Sequence, residues 1–151
     1  MTVYLGIDNG VTGSLAYIST DGGAADLAPT PTKKEQSYTK KKQRITRIDH
    51  PALVRLLSDW FLIFPKDTRW RVLLERPYAN PQGLKATVSG MRALESTLIA
   101  IEAFGIAFEY IDSRAWQKEL LPSGIKGTAE LKHASEEIGC RLFPHLRGKI
   151  E

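Results

Sequence analysis

The chain is poor in cysteine and histidine and has no long apolar run. Cys140 is the single cysteine among 151 residues. That excludes an internal disulfide and a cysteine-rich zinc site, and it suits a reducing, intracellular compartment. The three histidines, His50, His133 and His145, show no metal-ligand spacing. No apolar stretch approaches the ~20 residues that a membrane helix needs, so no membrane association is expected. Met1 runs straight into a strand-like segment, without the basic and apolar regions of a secretory signal. Internal repeats are absent too. A chain of this length suits one domain around a single core and leaves no room for two domains about a deep cleft.

Acidic residues are scarce in one region only. The whole chain carries 21 Lys and Arg against 17 Asp and Glu. Residues 33–47 hold Lys33, Lys34, Lys40, Lys41, Lys42, Arg44 and Arg47, with Glu35 as their only acid, a net +6. The remainder of the chain therefore sums to −2. A charge run of this kind is often just a solvated loop. This one is interleaved with Tyr38 and Thr39 and lies between structured segments, which points to an arm contacting nucleic-acid phosphates.

The element pattern begins with a hairpin. Val3–Asp8 and Ser14–Ile18 are apolar runs around the turn-tolerant Asn9-Gly10-Val11-Thr12-Gly13. Residues 24–43 contain Pro29, Pro31 and the lysines without clear periodicity, and read as a long mobile insertion. A third strand is expected from Gln43 to Ile48. Asp49 then caps a helix with Leu53, Leu56, Leu57, Trp60 and Phe64 at helical spacing, stopped by Pro65. Trp70–Glu75 reads as a buried strand. A long helix follows, with Val88, Met91, Leu94, Leu98, Ile101 and Phe104 stepping by three or four until Gly105. Ile106–Ile111 is the next strand, Asp112 or Ser113 caps a short helix, and Thr128 opens another. The order β-β-β-α-β-α-β-α-α implies an α/β domain with a mixed sheet and helices packed on it.

Two carboxylates end apolar strands: Asp8 after Leu5-Gly6-Ile7, and Glu75 after Val72-Leu73-Leu74. Strand-end acids often serve only as caps or turn formers. If these strands are neighbours, however, the two acids face each other, and one would be protonated unless a cation sat between them. Mg²⁺ suits such oxygen donors, with Mn²⁺ as its substitute, and can activate water for phosphodiester cleavage.

The segment from Leu5 to Ala16 resembles the first strand and hairpin of RuvC-like Holliday junction resolvases. Val72-Leu73-Leu74-Glu75-Arg76-Pro77-Tyr78 resembles their second acidic strand, and Phe108–Ile111 with Trp116-Gln117-Lys118 continues the likeness. It is nearest to divergent, phage-type members and covers the chain except for the basic insertion at about 24–43. The resemblance implies an RNase H-like fold with a mixed five-stranded sheet and helices on both faces. It also implies a homodimer that cuts four-way DNA junctions with Mg²⁺ in the cytoplasm or nucleoid. Asp8 would be the central metal-bridging carboxylate, Glu75 its partner, Lys118 a phosphate contact at the cleaved strand, and Tyr78 a base-stacking aromatic. The long helix would contribute to the dimer interface. The family completes its site with further acids on a C-terminal helix, which this chain is expected to lack. Glu136, Glu137 and Glu151 do not fall in that pattern, so the remaining metal carboxylates are unassigned. Three alternatives stay open: a branched-DNA-binding module without catalysis, a related RNase H-like nuclease, and the phosphate loop of an actin-like ATPase. The last needs two domains about a nucleotide, so no nucleotide cofactor is expected.

Overall fold

A computed structural model describes residues 1–37, 40, 43–125 and 127–150. Strands β1 (Thr2–Ile7) and β2 (Ser14–Ser19) form the expected hairpin, with Ile7 opposite Leu15. β3 (Ala25–Pro29) adds antiparallel to β2 as an edge strand. β4 (Thr32–Gln36) and β5 (Arg44–Ile48) pair only with each other, as a separate two-stranded ribbon. After α1 (His50–Ile63), β6 (Arg69–Glu75) lies parallel to β1. After α2 (Leu84–Ala103), β7 (Phe108–Ile111) lies parallel to β6. The main sheet therefore runs β3-β2-β1-β6-β7, five strands of mixed direction. The chain closes with α3 (Ser113–Leu120), α4 (Thr128–Leu142), a 3-10 turn at Pro144–Leu146 and the short α5 (Arg147–Ile150).

Two expectations about the middle of the chain need correction. Residues 24–43 are not one long loop, since half of them form β3 and β4. The strand at Arg44–Ile48 does not join the main sheet, whose third antiparallel member is Ala25–Pro29. The reason is physical. The edge strand and the ribbon bury less than the central strands, and β3 and β4 place Asp26, Lys33, Lys34 and Glu35 along their length, so neither shows the apolar alternation that marks a half-buried strand.

Local chemistry explains the other elements. The Asp49 carboxylate accepts from the Ala52 N–H at 3.3 Å, and Pro51 fits the first turn of α1. Gly105, at φ +63°, adopts the left-handed conformation that ends α2. Alternation in the sheet buries Val3, Leu5, Ile7, Leu15, Tyr17, Val72 and Leu74 on one face. Leu53, Leu57 and Trp60 of α1, with Ala93, Ala100 and Ile101 of α2, pack with them in one core. Edge-to-face rings reinforce it, with Tyr17 and Trp60 centroids 5.0 Å apart and Phe61 and Trp70 4.5 Å apart. The expected stripe on α2 divides. Ile101 is buried and Leu94, Leu98 and Phe104 pack against the core, whereas Val88 and Met91 stay exposed beside Leu84 and Ile99.

Candidate active site

The acids owe their positions to register. Ile7 of β1 pairs with Leu74 of β6, so the next residues, Asp8 and Glu75, leave adjacent parallel strands at the same level. Ile7 and Leu74 point into the core. With a side-chain period of two, Asp8 and Glu75 point to the opposite face. There they line a cleft of about 290 Å³ floored by the small residues Gly6 and Ala16 and walled by Trp116 of α3. Helices thus lie on both faces: α1 and α2 seal one, and α3 crosses the acid-bearing end of the other.

The turn after Asp8 is tightly built. The Asp8 N–H donates to the Ser14 carbonyl at 2.9 Å, and the Gly13 N–H to the Gly10 carbonyl at 3.2 Å. A Cβ on Gly13 would overlap the Asp8 carbonyl, so only glycine fits. The Asn9 amide donates to the Gly90 carbonyl at 3.1 Å, tying this turn to the middle of α2.

Electrostatics agree with the geometry. Asp8 opens to solvent, but the protein around it raises its carboxyl above the usual carboxylate range. Glu75 is raised first by burial and then by the Asp8 charge; a hydrogen bond from Trp116 opposes this, and the Asp112 charge adds to it. Two carboxylates that resist ionising side by side form a hard-oxygen donor pair suited to a divalent cation such as Mg²⁺ or Mn²⁺. No third ligand stands with them: among the described residues, no group of three or more His, Cys, Asp or Glu is placed to hold a metal.

The other expected residues spread around this pair. Lys118 is exposed on α3 and lines a neighbouring groove of about 500 Å³ that shares Ile111 and Trp116 with the acid cleft. Tyr78, three residues beyond Glu75, is 81% exposed. Lys33, Lys34, Arg44 and Arg47 lie on the ribbon and Lys40 is exposed near its tip, while Lys41 and Lys42 fall outside the described residues. Glu136 and Glu137 sit on α4, engaged with Lys132 at 3.8 Å and His133 at 3.5 Å; Glu151 is outside the described residues.

No protein-family model matches this chain, and no curated protein does. Solved structures do match. One is Thermus thermophilus RuvC in complex with a Holliday junction substrate, with a TM-score of 0.53 at 15% identity, covering 97% of this chain and 79% of that one. Another is a T. thermophilus RuvC structure, with a TM-score of 0.45 at 18% identity, covering 97% and 80%. The fold is RNase H-like, as in RuvC. The sequence singles out Asp8 and Glu75, which the structure brings into one cleft, but gives no sign that Trp116 and Asp112 stand beside Glu75. Asp112 was legible only as a cap, a role it also fills by accepting from the Arg114 N–H at 2.8 Å. The available signal was that β7 follows β6, so the residues closing β7 land beside Glu75.

Proposed function

We propose that this chain is a divalent-metal-dependent, structure-specific DNA endonuclease that nicks four-way junctions or related branched DNA symmetrically. The observation that carries this reading is the Asp8–Glu75 pair at adjacent strand ends on the open face of an RNase H-like sheet. The fold likeness to a RuvC bound to a Holliday junction supports branched DNA as the substrate class.

Asp8 and Glu75 would hold the cation, which when bound supplies positive charge against the developing negative charge of phosphodiester cleavage. The chain's own residues do the rest. Trp116 donates to the Glu75 carboxylate and so fixes its orientation, as outer partners of metal-binding carboxylates do. The cramped turn at Gly13 fixes the Asp8 backbone. Lys118, on the same helix as Trp116, offers a cation to the phosphates of the strand entering the cleft. Tyr78 offers an exposed ring for a base unstacked near the crossover.

The reading includes a second copy of the chain. Leu84, Val88, Met91 and Ile99 fall on one side of α2, 40–70% exposed, and offer an apolar face for a twofold partner. A C₂ pair places two acid clefts on one junction, which accounts for symmetric nicking. Junction resolution belongs to the intracellular DNA of a cell or of an infecting phage, and we place the protein there.

The test is a cleavage assay on an end-labelled four-way junction and matching linear duplex, with and without Mg²⁺, beside a gel shift. Paired, Mg²⁺-dependent nicks confined to the junction are the expected result. Tight junction binding without cutting would favour the non-catalytic module. Equal, weak binding to both DNAs would remove the junction from the account.

A further inference from the structure

The ribbon is sorted by charge in a way its sequence conceals. Its register pairs Lys33 with Arg47, Lys34 with Thr46, Glu35 with Ile45 and Gln36 with Arg44. Directly paired residues share a side and neighbours along a strand alternate, so the four basic residues on the two strands are not equivalent. One face carries Lys33, Glu35, Ile45 and Arg47, all half-buried. Glu35 is clamped there between Lys33 Nζ at 3.2 Å and Arg47 Nη1 at 2.9 Å. Both cations hold the Glu35 carboxyl below its usual range, Lys33 through the larger hydrogen-bonding effect. This face neutralises one of its two positive charges internally and keeps a net +1, against +2 from Lys34 and Arg44 on the other.

The other face carries Thr32, Lys34, Gln36, Arg44 and Thr46, all exposed, with no acid among them; Ile48, opposite Thr32, is buried where the ribbon meets the core. Lys34 and Arg44 have no ion-pair partner among the described residues.

The ribbon also starts at the acid end of the sheet. The Thr30 N–H donates to the Gly13 carbonyl at 2.9 Å, and Gly13 packs on Asp8. The Asp49 N–H donates to the Pro31 carbonyl at 2.9 Å and closes the root. A five-residue strand spans about 17 Å. The strands therefore extend from a root beside the Asp8 turn by about the length of five base-pair steps at 3.4 Å each.

We propose that the Thr32–Lys34–Gln36–Arg44 face of the ribbon lies against a duplex arm of the DNA substrate, with the Lys33–Glu35–Arg47 face turned away from it. Charge complementarity selects this face: unpaired cations for phosphates, and Thr and Gln side chains that both donate and accept for groove edges. A two-stranded ribbon matches the ~12 Å width of the major groove. The inference rests on the nucleic-acid reading above and adds to it which side of the arm makes contact.

The experiment measures affinity for a linear duplex and a four-way junction over a range of salt concentrations, with melting curves to confirm folding. One variant combines Lys34→Ala and Arg44→Ala. The other combines Lys33→Gln, Glu35→Gln and Arg47→Gln, which dismantles the clamped face. The first should lose about 10–30-fold in affinity near physiological salt and reduce the slope of log K against log salt by about 2. The second should stay close to wild type. If the clamped-face variant loses as much as the open-face variant, the ribbon acts through bulk charge and the face assignment is wrong. If wild type binds DNA and neither variant weakens it, the ribbon is not a contact. A wild-type protein that binds neither DNA would instead bring down the nucleic-acid reading underneath.

Discussion

The two faces of the five-stranded sheet are built from the same strands, one residue out of phase, and they serve opposite ends. Ile7 and Leu74 point one way, into a core closed by α1 and α2, where Leu5, Leu57 and Leu74 have no exposure at all. Asp8 and Glu75 point the other way, over Gly6 and Ala16, into a cleft bordered by α3 through Trp116. On that open face Tyr4 and Ile18 remain 36% and 38% exposed. Stability is concentrated on the first face, so the second can carry paired carboxylates that a tightly packed surface would not tolerate.

The largest expected effect breaks the sealed side. Leu57→Ala should cost about 2–5 kcal/mol of folding stability in a denaturant titration. Ile18→Ala on the open face should cost about 1 kcal/mol or less. Similar losses at both positions would mean that the open face is sealed in solution.

Next comes a change confined to the cleft. Trp116→Phe keeps an aromatic ring, smaller than the indole, and removes the N–H that donates to Glu75. It should weaken Mg²⁺-dependent activity or metal affinity by about 10–100-fold and leave the fold intact. The accompanying signature is a Glu75 carboxyl raised further, moving the pH midpoint of metal binding upward. An unshifted midpoint would demote Trp116 to packing.

The smallest effect is on the stability of the metal-free protein. Asp8 and Glu75 both have raised pKa values in the folded state, so the native chain holds their protons more firmly than the unfolded chain does. Stability from this source is fully present below the ordinary carboxylate values of 3.8 and 4.5 and is lost as pH rises through the raised ones. In a chelator, Asp8→Asn should therefore melt above wild type at pH 7 and level with it below pH ~4. A lower melting temperature at pH 7 would show that the Asp8 charge is favourably paired.

Much of this comparison was legible in the residues themselves. Apolar runs that end in a carboxylate identify Asp8 and Glu75, and helical spacing with Asp49 and Gly105 as punctuation identifies α1 and the end of α2. What escaped detection lacked an apolar signature. The strands Ala25–Pro29 and Thr32–Gln36 contain no fully buried residue, and the sorting of the basic run into a clamped and an open face depends on cross-strand register. Trp116 and Asp112 join Glu75 only through the placement of β7 beside β6. Helical spacing on α2 also merged two surfaces, the core-facing Leu98 and Ile101 with the exposed Val88 and Met91, because residues three or four apart drift around the helix.

The most direct test of the open face as a metal centre is thermal melting of wild type, Asp8→Asn and Glu75→Gln against increasing Mg²⁺, repeated with Mn²⁺, at neutral pH. A cation that binds only the folded protein raises the melting temperature with its concentration. The account predicts that rise in wild type and its loss in both variants, which should already melt at or above metal-free wild type. An equal rise in all three proteins, or none in wild type, would contradict the assignment of Asp8 and Glu75 as the metal-binding pair.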